Sequence, residues 1–266
     1  MMAPFEPLLL QRERSEGRFG RRIRYLPRID STNDRALALM EAGEPEGTLV
    51  LAEEQTRGRG RRGRSWHSPA GLGIYASLIL RPTLPSEQLP MVSLTAAVGS
   101  ARVLLSHSLL RVSLKWPNDI LLDGKKVGGL LSEARGDGRG TGVVVGLGLN
   151  VNHEEKDFPK ELQGRITSVL LESGRLWDRQ HLLSEILMRW EQEYEKLLSA
   201  GPGDLLEGFE CFSEFKDGSR LRIDQGGESV CGHYAGLGPR GELLLRTADD
   251  SVQSFSFGDV GRVSEG

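Results

Sequence analysis

The sequence predicts an α+β protein: a larger domain of strands and helices followed by a small all-β unit. Three observations carry this. Between residues 22 and 213, short β-type runs mix with two long stretches of helical apolar spacing. From about residue 214 the texture changes to short strands separated by Gly-rich turns, the spacing of a small β-barrel or sandwich. The chain has 266 residues, 38% hydrophobic and 27% charged, enough for one large core and one small one. The expected units are an N-terminal arm (1–21), a main domain (22–213) and the C-terminal unit (214–266).

The elements follow in order. Residues 1–21 are charged and punctuated by Pro and Gly, and read as a loosely attached arm too short for a three-helix DNA-binding domain. "RIRYL" is a strand. "DSTNDRALALMEAG" opens on capping residues, runs through Ala36, Leu37, Leu39 and Met40, and stops at Gly43, which makes a helix. "GTLVLAEE" is a second strand leading into "RGRGRRGRSW", and "GIYASLILRP" is a strand ended by Pro82. "LPMVSLTAAVGSARVLLSHSL" is a buried helix. "VSLKWPNDILLDGKKVGGLLSEA" reads as strand, Pro-Asn-Asp break, strand, Asp-Gly turn, strand. "RGDGRGTG" is a flexible turn, "VVVGLGLNVN" a fully buried strand, and "DRQHLLSEILMRWEQEYEKLLSA" a long amphipathic helix behind an Asp cap. The last unit contributes "SRLRIDQ", "SVCGHYAGLG", "ELLLRTAD" and "SVQSFSFGDVGRV".

Composition excludes several classes. Cys211 and Cys231 form no framework, suit a reducing compartment and are expected to be buried or partly buried thiols. The five histidines show no HExxH and no ligand spacing, so no protein-built metal site is expected. No apolar run reaches bilayer length and the N-terminus lacks a signal-peptide pattern, so the expected location is cytoplasmic, with no membrane partner.

Residues 57–64 hold five arginines and three glycines, in a chain of net charge −3. Gly58, Gly60 and Gly63 match a dinucleotide fingerprint, but that motif needs a helix to begin there, and "SWHSPAGLG" will not form one. A nucleic-acid patch would release counterions on binding phosphate, but the global charge is wrong and only Trp66 lies nearby for stacking. The third reading is a loop wrapping a small anion, with backbone amides turned inward as a nest and guanidinium forks gripping carboxylate and phosphate. Charge repulsion and glycine entropy should leave such a loop mobile until ligand orders it.

"DSTN" (30–33), "EEQTRGRGRRGRSWHSP" (53–69), "LKWPNDI" (114–120), "GKKVGGLLSE" (124–133) and "GLGLNVN" (146–152) occur in that order. Together they resemble the catalytic domain of biotin protein ligases, the biotin–[acetyl-CoA-carboxylase] ligases. "FKDGSRLRI…GLGPRGELLLRT…FSFGDV" resembles that family's SH3-like C-terminal domain. The resemblance covers roughly 22–262. It implies a mixed β-sheet flanked by helices, related to class II aminoacyl-tRNA synthetases, with a small C-terminal SH3-like β-barrel. It also implies formation of biotinyl-5′-AMP from biotin and ATP, and transfer of biotin to a lysine of a biotin carboxyl carrier protein. Mg²⁺ would arrive with ATP, no nucleic acid would bind, and a homodimer through a sheet edge is an option. Without an N-terminal helix-turn-helix the expected form is monofunctional. A lipoate-type ligase is the alternative of related fold; a nucleic-acid module using the arginine loop is the more distant one.

The resemblance also assigns residues. Ser31, Thr32, Asn33 and Gln55 match biotin contacts, where the ureido ring needs donors and acceptors. Arg59, Gly60 and Arg61 match the core of the ligand loop, and Lys126 a lysine at the biotin carboxylate. Arg61 and Lys115 would serve the junction of carboxylate and α-phosphate as the catalytic cations, with Asn118 and Asn150 on the nucleotide side. Gly128, Gly129, Gly146 and Gly148 would make room for the bicyclic ring. Trp66 reads equally as loop-anchoring core or ligand contact. Arg57 stands where the family often has a small residue.

Overall fold

The computed structural model describes residues 3–107, 111–136 and 140–263. The middle of the expected 135–142 turn, residues 137–139, lies outside that description, as do residues 108–110, which include the last two positions of the buried-helix stretch. In chain order the main domain contains α1 (Pro7–Glu13), β1 (Arg22–Ile29), α2 (Thr32–Glu41), β2 (Thr48–Gln55), β3 (Gly73–Leu80), α3 (Pro90–His107), β4 (Val112–Lys115), β5 (Asp119–Leu122), β6 (Lys125–Gly136) and β7 (Thr141–Asn150). It continues with α4 (Val169–Ser173), α5 (Arg179–Ala200) and α6 (Gly203–Phe212). The C-terminal unit contains β8 (Arg220–Gln225), β9 (Glu228–Leu237), β10 (Leu243–Arg246), β11 (Val252–Phe255) and β12 (Asp259–Arg262).

The main sheet has the order β1-β2-β3-β7-β6-β5-β4, with β1 parallel to β2 and every other neighbouring pair antiparallel. Successive side chains on a strand point to opposite faces, so a strand covered on both sides must be apolar throughout. β3 is buried at every position for that reason. Val50, Ile79 and Val144 pack with Ala36, Leu37 and Met40 of α2 on one face. Their strand neighbours Leu49, Leu51, Leu78, Leu80, Val143 and Val145 join the larger core with α3 and α5 on the other. α2 starts where Ser31 Oγ accepts the Asp34 N–H, and α5 where the Asp178 carboxylate accepts the amides of Gln180 and His181.

The second sheet, β11-β10-β9-β8-β12, is antiparallel. "SVQSFSFGDVGRV" is two strands rather than one, β11 and β12, placed on opposite edges of this sheet. Leu221, Ile223, Tyr234, Leu243, Leu245, Phe255 and Val260 belong to the same contiguous core as the main domain. The Trp116 indole N–H donates to the Gly241 carbonyl at 2.9 Å, which fixes the two sheets to each other.

Several expectations are corrected. The N-terminal arm is not loose: Phe5, Leu10 and Phe19 are buried, and α1 was hidden by a charged sequence with one narrow apolar side. α6 was missed too, because its ten residues follow Gly201 and Pro202 and look like linker. Both cysteines are exposed, not buried. The helical segment Ser86–His107 is long and apolar enough to cross a membrane, contrary to the expected absence of such a run. Most of it is buried against the sheet, α5 and α6, so its apolarity is that of a core helix.

Candidate active site

The arginine loop closes first on itself. Arg59 and Ser65 form an antiparallel bridge. The Gly60 N–H donates to the Arg64 carbonyl at 2.7 Å, and the Trp66 N–H to the Gly58 carbonyl at 2.8 Å. Between them, Arg61–Gly63 make a single 3₁₀ turn with Arg62 in the left-handed region at φ 56°. No α-helix begins there, so the glycine spacing lacks the helix N-terminus a pyrophosphate would need. The expected nest is corrected in one respect: the Gly60 amide is spent inside the loop.

Carboxylates offset the repulsion among the arginines. Arg57 pairs with Asp30 at 2.9 Å, and Arg59 with Glu133 at 2.9 Å and with Asp34. Arg62 pairs with Asp259 at 3.0 Å, and Arg64 pairs with the same carboxylate. Arg61 differs. It donates to Asn118 Oδ1 at 3.1 Å and to the Gly258 carbonyl at 3.4 Å, and among the described residues it has no carboxylate within ion-pair distance. Burial holds its guanidinium below the ordinary arginine value, with Asp259 partly opposing and Arg62 adding to the effect. A half-buried, uncompensated cation is the local condition that favours an incoming anion.

Beneath the loop lies a cavity of about 710 Å³, lined by the start of α2, the ends of β2, β4, β6 and β7, segment 158–166 and one edge of the C-terminal sheet. Lys115 and Asn118 line it beside Arg61. The matching family model, the biotin/lipoate A/B protein ligase family, covers residues 25–150. A bifunctional ligase/repressor BirA of Bacillus spizizenii is 36% identical over 238 residues, 89% of this chain and 73% of the relative. A biotin–[acetyl-CoA-carboxylase] ligase of Mycobacterium tuberculosis is 32% identical, covering 90% of this chain and 88% of that protein. The chain belongs to the biotin protein ligase family. Among solved structures, the biotin protein ligase from Aquifex aeolicus in complex with biotin and ATP superposes with a TM-score of 0.80 at 30% identity, over 91% of this chain and 99% of that one.

In this biotin protein ligase, the residues expected at biotin, nucleotide and the reacting junction all line a single cavity: Ser31, Thr32, Asn33, Gln55, Arg59, Gly60, Arg61, Lys115, Asn118, Lys126 and Asn150, whereas Gly128 does not. They do so through a hydrogen-bond network rather than as free arms. Gln55 Oε1 accepts from the Thr32 amide at 2.8 Å and its hydroxyl at 3.0 Å, while Gln55 Nε2 donates to Ser68. Asn33 Nδ2 donates to the Leu131 carbonyl and to Glu133. The buried Ser77 hydroxyl lies 2.7 Å from Asn33 Oδ1 and 2.8 Å from Thr32 Oγ1. Asn118 Nδ2 donates to the Leu130 carbonyl at 2.6 Å, and Asn150 Nδ2 to the Thr167 carbonyl at 3.0 Å. Lys126 pairs with Asp119 at 2.6 Å. Lys115 has no ion-pair partner among the described residues.

Protein groups crowd Gly128, Gly129, Gly146 and Gly148, three of which line the cavity. A Cβ on Gly146 would sit 1.9 Å from Asn33 Oδ1, and one on Gly148 would sit 2.5 Å from the Trp66 indole. Gly128 faces the Gly148 carbonyl and Leu149, and Gly129 the Lys126 side chain. The space at Gly146 and Gly148 holds the Asn33 and Trp66 side chains that shape the cavity. Trp66 therefore covers the sheet and lines the cavity at once, with Nε1 buried and unpartnered and Lys126 Nζ 5.5 Å from its ring.

Residues that the motif comparison left unassigned also belong to the site. Glu133 anchors both Arg59 and Asn33; Arg165 is a cavity-lining cation without an ion-pair partner among the described residues; Arg222, Asp224 and Asp259 come from the C-terminal sheet. Nothing in their local sequence distinguishes them from surface charge. No group of three His, Cys, Asp or Glu residues able to hold a metal exists among the described residues.

Proposed function

We propose that this cavity joins biotin to ATP as biotinyl-5′-AMP and then presents the adenylate to a lysine of a biotin carboxyl carrier protein. The observation that carries it is Arg61: four of the five loop arginines are ion-paired with carboxylates, and the fifth is half-buried, has no ion pair among the described residues and lines the same cavity as Lys115. In the first step a biotin carboxylate oxygen attacks the α-phosphorus, the bond to the β-phosphate breaks and pyrophosphate leaves. Two anions must meet, so the main requirement is fixed positive charge where oxygens gather negative charge. Arg61 and Lys115 supply it. Lys126, oriented by Asp119, faces the biotin carboxylate, and Ser31, Thr32, Asn33 and Gln55 meet the ureido ring through groups already fixed by their network. Asn118 and Asn150 take the nucleotide side.

In the second step the acceptor lysine nitrogen attacks the carbonyl carbon and AMP leaves, so no nucleophile of this chain is required. Catalysis is by charge and by proximity. Mg²⁺ enters as part of the ATP substrate. The cavity carboxylates Asp119, Asp224 and Asp259 each face a cation, which suits an ion brought in by the triphosphate rather than a protein-built cage. The same internal pairing leaves the loop little free charge for a nucleic-acid backbone. A cytoplasmic location and pairing of two copies through a sheet edge belong to this reading.

The test is pyrophosphate exchange with biotin, lipoate and octanoate in parallel. Exchange with biotin is expected; exchange with lipoate alone would overturn the assignment. Arg61→Ala should lower biotin-dependent exchange by about 100-fold or more with an unchanged circular dichroism spectrum.

A further inference from the structure

The arginine loop belongs to the main domain, but two of its cations are held by the other sheet. Arg62 and Arg64 both pair with Asp259, the first residue of β12. Arg62 also donates to the Asp224 carbonyl at 2.9 Å, and Arg61 to the Gly258 carbonyl at 3.4 Å. Asp224, Gly258, Asp259, Val260 and Gly261 line the same cavity as Ser31 and Thr32. The roof over the candidate active site is therefore a joint between the loop and one edge of the C-terminal sheet.

Asp259 is the only carboxylate of the C-terminal sheet to which loop arginines are paired among the described residues. Without it, Arg62 and Arg64 would lose their ion-pair partner beside Arg61, leaving only the more distant Asp224 and Asp119 charges, and repulsion among the three cations would favour an open loop. Asp259 also touches Arg61 at a distance, because its charge partly restores the protonation that burial disfavours.

We infer that Asp259 is a positioning residue: it holds Arg62 and Arg64 against β12 and so keeps Arg61 over the cavity before substrate arrives. This rests on the ligase reading above. Charge-assisted bonds of this kind are strong for their number, and ordering the loop in advance lowers the cost of binding. Its loss should therefore appear in binding more than in the chemical step, since bound substrate supplies its own anions to close the loop.

The experiment compares wild type with Asp259→Asn, Asp259→Glu and Asp259→Lys, and with Asp259→Lys combined with Arg62→Glu and Arg64→Glu. It measures KM and kcat for biotin and ATP in pyrophosphate exchange, tryptic cleavage within 57–64, and Tm. Asp259→Asn should raise both KM values about tenfold. It should change kcat by less than about threefold, speed cleavage in the loop and leave Tm within about 2 °C. Asp259→Glu and the triple charge swap should recover most of the KM, and Asp259→Lys alone should be the worst. Unchanged KM and cleavage in Asp259→Asn, or failure of the swap to recover what Asp259→Lys loses, would overturn the proposal. If wild type shows no biotin-dependent exchange, the ligase reading fails instead, and loop cleavage still decides the role of Asp259.

Discussion

Arg61 and His153 show how the surroundings of a single residue set its chemistry. Arg61 lies in a run of chemically identical neighbours and is set apart only by having no carboxylate of its own. His153 is fully buried, stacked on Phe158 at 5.1 Å, and burial pushes its imidazole down to about 3, with His67 and Arg179 adding to the effect. The native state therefore keeps His153 neutral, while the unfolded chain protonates it below about 6.5. The unfolded state binds more protons in that interval, so stability falls as pH drops from about 6.5 toward 3. The slope from this one group approaches about 1.4 kcal/mol per pH unit. Urea unfolding at pH 7 and pH 5 should show that loss in wild type, and His153→Gln should remove this part of it.

The decisive elements are β7, α2 and the chain after the arginine loop, which meet on one face of the main sheet. Gly146 and Gly148 both lie on β7, two residues apart and so on one face. One admits Asn33 from α2 and the other admits Trp66 from the chain that follows the loop. Neither contact reaches a flexible side-chain end; both lie against groups tied into the site. Gly148→Ala should displace the Trp66 ring, cost about 1–3 kcal/mol by overpacking and lower Tm by a few degrees. A red-shifted tryptophan emission and a higher KM for biotin would check it. A variant with normal emission and normal KM would show that the cavity wall can give way there.

For the molecule as a whole, one buried ion pair joins three regions far apart in sequence. Arg179 at the start of α5 donates to Glu53 of β2 at 2.9 Å, to the Gly73 carbonyl at 3.1 Å and to the Ala3 carbonyl at 2.7 Å. The Phe5 amide donates to the other Glu53 oxygen at 2.6 Å. Removing one partner leaves a buried charge alone, so Arg179→Met should cost about 3–5 kcal/mol, with proteolysis of the N-terminal segment accelerated. Adding Glu53→Leu should recover part of that loss, read by urea unfolding. This joint explains why the arm reads as loose in sequence: its backbone at Ala3 and Phe5 is held by Arg179 and Glu53, and its Arg14 and Arg18 pair with Glu191 and Glu46, all distant in the chain. By itself the sequence determined the strands of the main domain and its helices α2, α3 and α5, the change of texture near residue 214 and an anionic site centred on the arginine loop and Lys115. Those are properties of local spacing and of residue types whose chemistry has few alternatives. Only the tertiary structure decided which arginine keeps its charge free, which side chains fill the space the glycines leave, and that Asp259 of the second sheet answers the loop of the first. Charge pairing and steric fit are pairwise and depend on distance in space, and chain folding sets that distance independently of separation in sequence.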